Sequence, residues 1–527
     1  MNHLPAHSPA SQRTSYQFPV YRWIGWLAVA GFTIGLTVMF FISGMFGVPA
    51  PLGWAALVIL FTVGAMLLDR PKLLLNCMLF YFMLMPSNRL FGLVGLPLPG
   101  FIDELFFLPL IAVIVMNWIQ RRQIENATSF PLMLGLIAGL SWYVNGRPSP
   151  FTAMQVTLIL LKGYILWYYC RLTSTFKDDR QLLRWVWLYI GYAGIQFLYN
   201  MLWQRAPWPR FHPDRSGGVF GPDSAGGAHF VGYISMFALI LLAGWWISVG
   251  HRQSSRKKFW AGLLAVVIAY NLIFMTDTKH ALFLAVFAFA PLLFHPGVSA
   301  KLRVGLLTAG ALFALGTATY LQMAGTYGIT FRTLWAMIEN TPKGETLYAV
   351  TIDFSHLVPY PLLGAGPGRF MSPQSESAQT PLARRYIIPY QNEARRLKYF
   401  GFRGTTSVAS VFGNPRTDCF IVMSEYGWIG VAVYYWFLGW IAWKLRRKSL
   451  EFSLSHIQGG IFIALSCCIV FLGILSFISS VGTVPVLAFP LWILIGRMWD
   501  MKKEGGPGES DAVEMAAYGR GKSVAER

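Results

Sequence analysis

The chain is a succession of long apolar runs separated by short polar, basic or Gly/Pro-rich links. Apolar windows fall near residues 24–46, 53–69, 73–86, 102–119, 130–145, 153–170, 182–203, 228–249, 259–275, 279–296, 303–325, 417–443, 457–477 and 481–499. One helix needs about 20 such residues to cross a bilayer. The pattern therefore predicts an all-α polytopic membrane protein with about 14 transmembrane helices and one long external loop before the third-last helix. A transmembrane barrel would show ~10-residue alternation instead. The organisation read from the windows is a tail over 1–23, helices over 24–325, a large loop over 326–416, three more helices over 417–500, and a Gly-rich charged tail over 501–527. No A-x-A cleavage site follows the first apolar run, so that run reads as a span.

Composition strengthens this picture. Hydrophobic residues make up 55% of the 527, charged residues only 13%, and mean hydropathy is +0.48. Soluble domains carry about 25% charged residues, which excludes an ordinary soluble enzyme. The 20 Trp suit rings anchored at two membrane–water interfaces. Net charge is +20. With both termini inside, 26 Lys and Arg fall in cytoplasmic segments and 6 in short external loops (Arg89, Arg147, Arg205, Arg210, Arg215 and Lys279). That is the positive-inside distribution. Lys162 is deep in a span. The long loop holds the other ten positives against five acids, and long loops escape the rule. Its basic excess points to an anionic ligand outside or to a solvated surface near headgroups. No nucleic acid is implied, because the positives follow the membrane topology.

The missing chemistry narrows the function. The chain has no GxxxxGK[ST], no HExxH, no metal-type His/Cys cluster and no Asp-x-Asp pair on either face. Five cysteines lie in or beside apolar segments without a CxxC pair. No cofactor and no metal are expected. An external site also lacks cytoplasmic nucleotides, so its substrate must arrive already activated. A lipid-linked diphosphate fits, and Arg and Lys are the side chains that grip one. Arg205, Arg210 and Arg215 stand beside a Gly-rich turn over 204–230 that precedes a helix, a setting that suits an anion or simply a turn-rich loop. Lys279 opens a helix at the external face, where a charge lines a polar cavity or snorkels to the interface.

These pieces, in order, resemble the O-antigen ligase and O-antigen polymerase superfamily. An Arg runs into a G-x-F-x-x-P-like turn, here Arg215-Ser-Gly-Gly-Val-Phe-Gly-Pro-Asp. A helix opens with Thr278-Lys279, where the family has Ser/Thr-Arg. Arg332 and Trp335 open the long loop. Pro361-Leu-Leu-Gly-Ala-Gly-Pro-Gly368 and Glu425-Tyr-Gly-Trp-Ile-Gly430 follow. The likeness spans 215–430; the N-terminal half matches in hydropathy alone.

The resemblance implies an integral-membrane glycosyltransferase of the bacterial inner membrane. It would take a glycan from undecaprenyl diphosphate on the external face and pass it to an acceptor glycan or lipid. Other polysaccharide-assembly proteins are the implied partners. In the ligases a His-Asn pair lies nine residues before the motif's Glu; here Arg416-Thr417 stands there. Polymerases instead carry two external motifs of Arg, ten residues, Gly, and Arg215…Gly226 and Arg416…Gly427 both fit. The polymerase reading is therefore preferred, ligase is the alternative, and a transporter or flippase is the third. The expected catalytic set is Arg215, Arg416, Lys279, Glu425 and, among the external histidines, His356. Arg210, Arg215, Lys279, Arg332 and Arg416 are expected to bind diphosphate or glycan. Gly226, Gly364, Gly366, Gly368 and Gly427 would shape loops. For Arg215 and Arg416, ion pairing with Asp214, Asp223 or Asp418 is the plainer alternative, and for Glu425 it is hydrogen bonding to neighbouring helices.

Overall fold

The computed structural model describes residues 102–121, 128–147, 149–202, 217–218, 227–276, 278–301, 342–386, 416–479 and 485–501, with shorter pieces within 73–79 and 303–315. The windows at 24–46 and 53–69, the N-terminal tail and residues 502–527 lie outside the described residues. Among the described residues the chain is all-helical, 81% helix with no strand. It divides into two units, Met1–Gln123 and Ile124–Arg527. In the first, α1 (Ile102–Arg121) is the described helix of any length.

The second unit holds α2 (Ser129–Val144), α3 (Pro150–Thr173), α4 (Asp179–Leu202), α5 (Gly227–Ser248) and α6 (Ser255–Tyr270), which runs into a π-helical turn, Asn271–Met275. Then come α7 (Lys279–Ala288) and α8 (Ala290–Leu293). Four short helices occupy the described part of the long loop: α9 (Pro342–Thr351), α10 (Phe354–Leu357), α11 (Pro373–Ser377) and α12 (Pro381–Tyr386). The chain closes with α13 (Asp418–Phe452), α14 (Ile457–Leu475) and α15 (Pro485–Met498).

Among the described residues, four helical stretches are long and apolar enough to cross a membrane: Pro150–Thr173, His229–Ser248, Ser255–Met275 and Ile457–Leu475. Two sequence boundaries need correction. The window at 279–296 is two helices, because Pro291 enters at the start of α8 and cannot donate to the preceding turn. The window at 417–443 continues to Phe452, since Lys, Arg and Leu are good helix formers and polarity alone does not stop a helix. Local signals set other ends. The hydroxyl of Ser149 caps α3 by accepting from Thr152 N–H, with Pro150 at the first position. Thr417 caps α13 by accepting from Phe420 N–H at 3.0 Å.

α14 is the central helix, packed against α13, α5, α7 and α8. Its crossing with α5 is built from small residues: a Cβ on Gly460 would lie 2.4 Å from the Gly244 carbonyl oxygen and 2.5 Å from Ser248. Gly244 and Ser248 face Gly460 and Ala464, each pair four apart, which lets the two backbones approach as membrane helices do. α3 packs on α15, and between α2, α3, α13 and α15 lies an aromatic layer. Phe130 stacks on Phe437 at 4.0 Å, and Trp167 meets Trp499 at 4.8 Å.

Polar contacts join helix ends at both ends of the second unit. At one end Arg171 pairs with Asp500 at 3.1 Å, Gln458 donates to Asp179, and Arg446 donates to the Phe294 carbonyl. At the other, α2 ends against residues 364–369 and the top of α13. The long loop has its own apolar core there. Val350, Phe354, Val358, Ala365, Phe370, Met371 and Ala383 pack on Cys419, Phe420, Ile421 and Met423 of α13.

The small-residue crossing makes a direct prediction. Gly460→Leu overpacks the α5–α14 contact and should cost ~1–3 kcal/mol or more, seen as a lower Tm in detergent. Gly262→Leu on α6, where a Cβ meets nothing within 4 Å, should leave Tm unchanged. Equal Tm values for the two variants would show that the crossing is not tight.

Candidate functional site

The site is organised by a break in α13. Gly427 sits inside this helix at φ 69°, ψ −168°, so two helical pieces meet at a non-helical residue. A break frees backbone groups that must find partners, above all away from water. The loop 361–366 supplies them. Ala365 and Gly366 N–H donate to the carbonyls of Ser424 (2.8 Å) and Glu425 (3.2 Å). In return Trp428 and Ile429 N–H donate to the carbonyls of Pro361 (3.4 Å) and Leu362 (3.2 Å). The two backbones approach so closely that neither tolerates a side chain. A Cβ on Gly364 would lie 2.5 Å from the Glu425 carbonyl carbon, and one on Gly427 would lie 2.3 Å from the Leu362 oxygen. Gly364 is also at φ 78°, so glycine is required there on both counts.

The Glu425 side chain then fastens the rest of the loop. It is fully buried. One carboxyl oxygen accepts from Gly368 N–H at 2.7 Å. The other accepts from Ser372 N–H at 2.8 Å and Phe370 N–H at 3.4 Å. Asn145, just past α2, adds a third tether: its amide donates to the Gly364 carbonyl at 2.9 Å and to the Ser141 carbonyl at 2.8 Å. Ser141 Oγ donates to the Glu425 carbonyl at 3.1 Å, and Arg369 donates to the Asn145 carbonyl. Tyr426 shares a 3.0 Å hydrogen bond with Thr157 of α3. Loop, α2, α3 and α13 thus form one hydrogen-bonded assembly.

Arg416 lies at its edge, just before the α13 cap, and forms an ion pair with Glu376 of α11. Its side chain is mostly buried. Burial pulls the guanidinium down to about 10, and the nearby Glu425 carboxylate works the other way, so the group remains a cation at neutral pH. Glu376 is a partner that proximity in sequence does not suggest; Asp214 and Asp223 lie outside the described residues.

A second anchored segment lies on α4–α6. Asn200 accepts from Gly218 N–H at 2.7 Å and donates to Asn271, in the π-turn, at 3.1 Å. Asn271 donates to Ser235 of α5 at 3.3 Å. All three side chains are fully buried. After the π-turn, Thr276 and Thr278 share a 2.7 Å hydrogen bond, and Thr278 packs on Gly232 immediately before Lys279 begins α7. One buried amide network therefore holds both the backbone just after the Arg215 position and the approach to Lys279.

Of the residues singled out in sequence, Glu425, Gly364, Gly366, Gly368, Gly427 and Arg416 belong to one assembly. Gly366 and Gly368 also hold positive φ. Lys279 starts a helix as expected, and its side chain is outside the described set. Arg210, Arg215, Gly226 and Arg332 lie outside the described residues. His356 is exposed on α10 and is not among the groups that meet Glu425. Glu425, expected as a catalytic residue, has its carboxyl oxygens engaged by three backbone N–H groups. That engagement anchors residues 368–372 to α13. Sequence reasoning missed Asn145, Glu376, Asn200 and Asn271. A single amide at the end of an apolar helix carries no periodic signal.

Neither a protein-family model nor a curated protein matches the chain.

Removing the Glu425 carboxylate should loosen the loop. Glu425→Ala leaves three N–H donors without their acceptor, at ~1–3 kcal/mol for each buried group. Glu425→Gln turns an NH2 toward N–H donors. Both variants should unfold at lower temperature and expose the 361–372 segment to protease, with Ala the worse. A wild-type Tm and digestion pattern in Glu425→Ala would deny the anchoring role.

Proposed function

We propose that the chain is an integral-membrane glycosyltransferase related to the O-antigen polymerases and ligases, and that it works as a polymerase. It crosses the bacterial inner membrane about 14 times. Both termini are cytoplasmic and residues 326–416 are external. The donor is a glycan on undecaprenyl diphosphate. A hydroxyl oxygen of the acceptor glycan attacks the donor's anomeric carbon. The bond from that carbon to the diphosphate oxygen breaks, its electron pair leaves with the diphosphate, and the hydroxyl proton passes to solvent or a base. Cations that neutralise the leaving diphosphate lower the barrier, and no nucleotide or metal enters the scheme.

One observation carries the reading. The two stretches that bear the family likeness, Pro361–Gly368 and Glu425–Gly430, are far apart in sequence and interlock through backbone hydrogen bonds and the Glu425 carboxylate. Motifs that matched by chance would have no reason to meet. Arg416, the residue that separates polymerase from ligase in the motif pattern, stands at the edge of that joint. The Gly218 backbone and the start of α7, which flank the other expected cations, share a second anchor. Arg215, Lys279 and Arg416 would hold the diphosphate and the incoming glycan. A guanidinium forks onto two phosphate oxygens where an ammonium offers a point charge.

Losing one charged hydrogen-bond donor costs ~1.5–3 kcal/mol, about tenfold to a hundredfold in rate when the contact tightens in the transition state. Arg215→Ala and Arg416→Ala should each abolish the long ladder of surface polysaccharide on a gel, at normal protein level by blot. Arg→Lys at either position should give short or sparse chains. Lys279→Arg should retain much activity and Lys279→Met little. Glu376→Gln separates ligand binding from loop anchoring at Arg416. A binding role predicts a milder defect in Glu376→Gln than in Arg416→Ala, whereas equal defects mean that the ion pair is purely structural. Wild-type ladders from both alanine variants would remove these arginines from the mechanism. Accumulated unattached lipid-linked polymer in a deletion strain would favour ligase.

Orientation is tested separately. Gln379 and Ser255 are both exposed. An impermeant thiol reagent on intact spheroplasts should label Gln379→Cys and spare Ser255→Cys. The described native cysteines are buried and contribute little background. Labelling at 255 alone would reverse the topology and end the external-site argument.

A further inference from the structure

The outer stripe of α13, toward its C-terminal end, carries a feature that the loop joint does not use. Trp436, Gly439, Trp443 and Arg447 are all exposed and succeed one another at intervals of three and four, so they share one helix face. A Cβ on Gly439 would meet no atom within 4 Å. The indoles of Trp436 and Trp443, 46% and 49% exposed, stand one turn to either side. The face is therefore a notch between two large rings.

The notch ends in paired cations. Lys444 Nζ lies 5.0 Å from the centre of the Trp443 ring, and the Arg447 guanidinium lies 5.9 Å from the same ring. Two like charges flanking one indole repel each other. The acid beside them is Glu451, 3.8 Å from Arg447, in an exposed pair with the two side chains 62% and 57% accessible. Such a pair contributes little. Lys448 adds a third positive group on the next face, over the Trp499 and Phe462 rings. From Trp436 to Arg447 the helix rises ~16 Å, close to the half-thickness of a bilayer's hydrocarbon core. The apolar part, Trp436 to Trp443, takes up ~10 Å of that rise and the cations the rest, which together have the outline of one phospholipid chain end and headgroup.

We propose that this face binds a single anionic phospholipid from the leaflet at this end of the bundle. One acyl chain lies in the notch at Gly439 between Trp436 and Trp443, and the headgroup phosphate sits between Lys444 and Arg447. The charge complement selects the headgroup: a phosphodiester without a balancing cation relieves the repulsion, and a zwitterionic headgroup does so only in part. The notch selects a lipid over a soluble phosphate, which has no chain to fill it. The site stands apart from the loop joint, and nothing in it depends on the glycosyltransferase reading.

Native mass spectrometry of the full-length detergent-purified protein tests this, with dioleoyl phosphatidylglycerol and dioleoyl phosphatidylcholine as probes. Wild type should retain one phosphatidylglycerol about tenfold more tightly than phosphatidylcholine. The double variant Lys444→Gln, Arg447→Gln should lose that preference for one bound equivalent. Gly439→Leu keeps both charges and fills the notch, and it should weaken phosphatidylglycerol binding as well. Glycerol phosphate should not compete. Undiminished selective binding in the double variant overturns the proposal. So does competition by glycerol phosphate together with wild-type binding in Gly439→Leu, which would place a soluble anion there. All variants are first checked by size exclusion. If the double variant fails to fold, Gly439→Leu and the single Arg447→Gln decide, and wild-type lipid selectivity in both refutes the site.

Discussion

The backbone exchange across the break in α13 is the interaction on which the loop-bearing end of this protein rests. A helix interrupted inside a membrane protein leaves carbonyls and N–H groups that water does not reach, and each unsatisfied group costs kilocalories. Here the helix gives two carbonyls to the loop and receives two from it, so both chains are satisfied only when joined. The joint cannot slip. Gly364 and Gly427 face each other at a distance that admits no Cβ, so a one-residue shift would bring a side chain into backbone. The Glu425 carboxylate extends the same logic to Gly368, Phe370 and Ser372. A loop that would otherwise lose much conformational entropy on ordering is thereby fixed to the membrane body.

The joint also accounts for its surroundings. The apolar residues of α9, α10 and α12 collect on the first turns of α13 because the loop is already pinned there. Arg416 lies at the edge of the joint, mostly buried, paired with Glu376 and within electrostatic reach of Glu425. Pairing of this kind holds a cation in place without discharging it. Under the proposed reading this suits a group that must stay charged and oriented until a diphosphate arrives.

The membrane character and most helices were legible because apolar periodicity is a property of contiguous residues. The windows at 130–145 and 457–477 and the helices Ser129–Val144 and Ile457–Leu475 differ by a residue or two. Ends governed by single residues were less so: Pro291 splits one window, and a basic run that reads as a stop is helical to Phe452. The two glycine-bearing motifs were visible as strings, but their meeting was not. Hydropathy carries no information about which loop satisfies which broken helix. Glu425 illustrates the limit. Its type and depth signal importance, yet only the fold shows the three N–H groups that it anchors. The pairing of Arg416 with Glu376 was likewise out of reach, because the fold brought that glutamate from forty residues away.

The second anchor shows that the first is not an accident of one loop. Asn200, Asn271 and Ser235 are buried among apolar helices, where an amide is costly unless every contact is made. They hold Gly218 and share the π-turn that leads to Thr278. A π-turn inserts an extra residue into a helix and re-aims the chain beyond it. In this case it directs the chain to the start of α7, where Lys279 stands. Both anchors use neutral or fully satisfied polar groups inside the bundle and set basic residues at or beyond its boundary. Two cations of the long loop do take part in the first anchor: Arg369 donates to the Asn145 carbonyl and Arg416 pairs with Glu376. Under the proposed reading, amides and a carboxylate that fix the backbone beside Arg416 and Lys279 suit an enzyme whose donor carries a diphosphate.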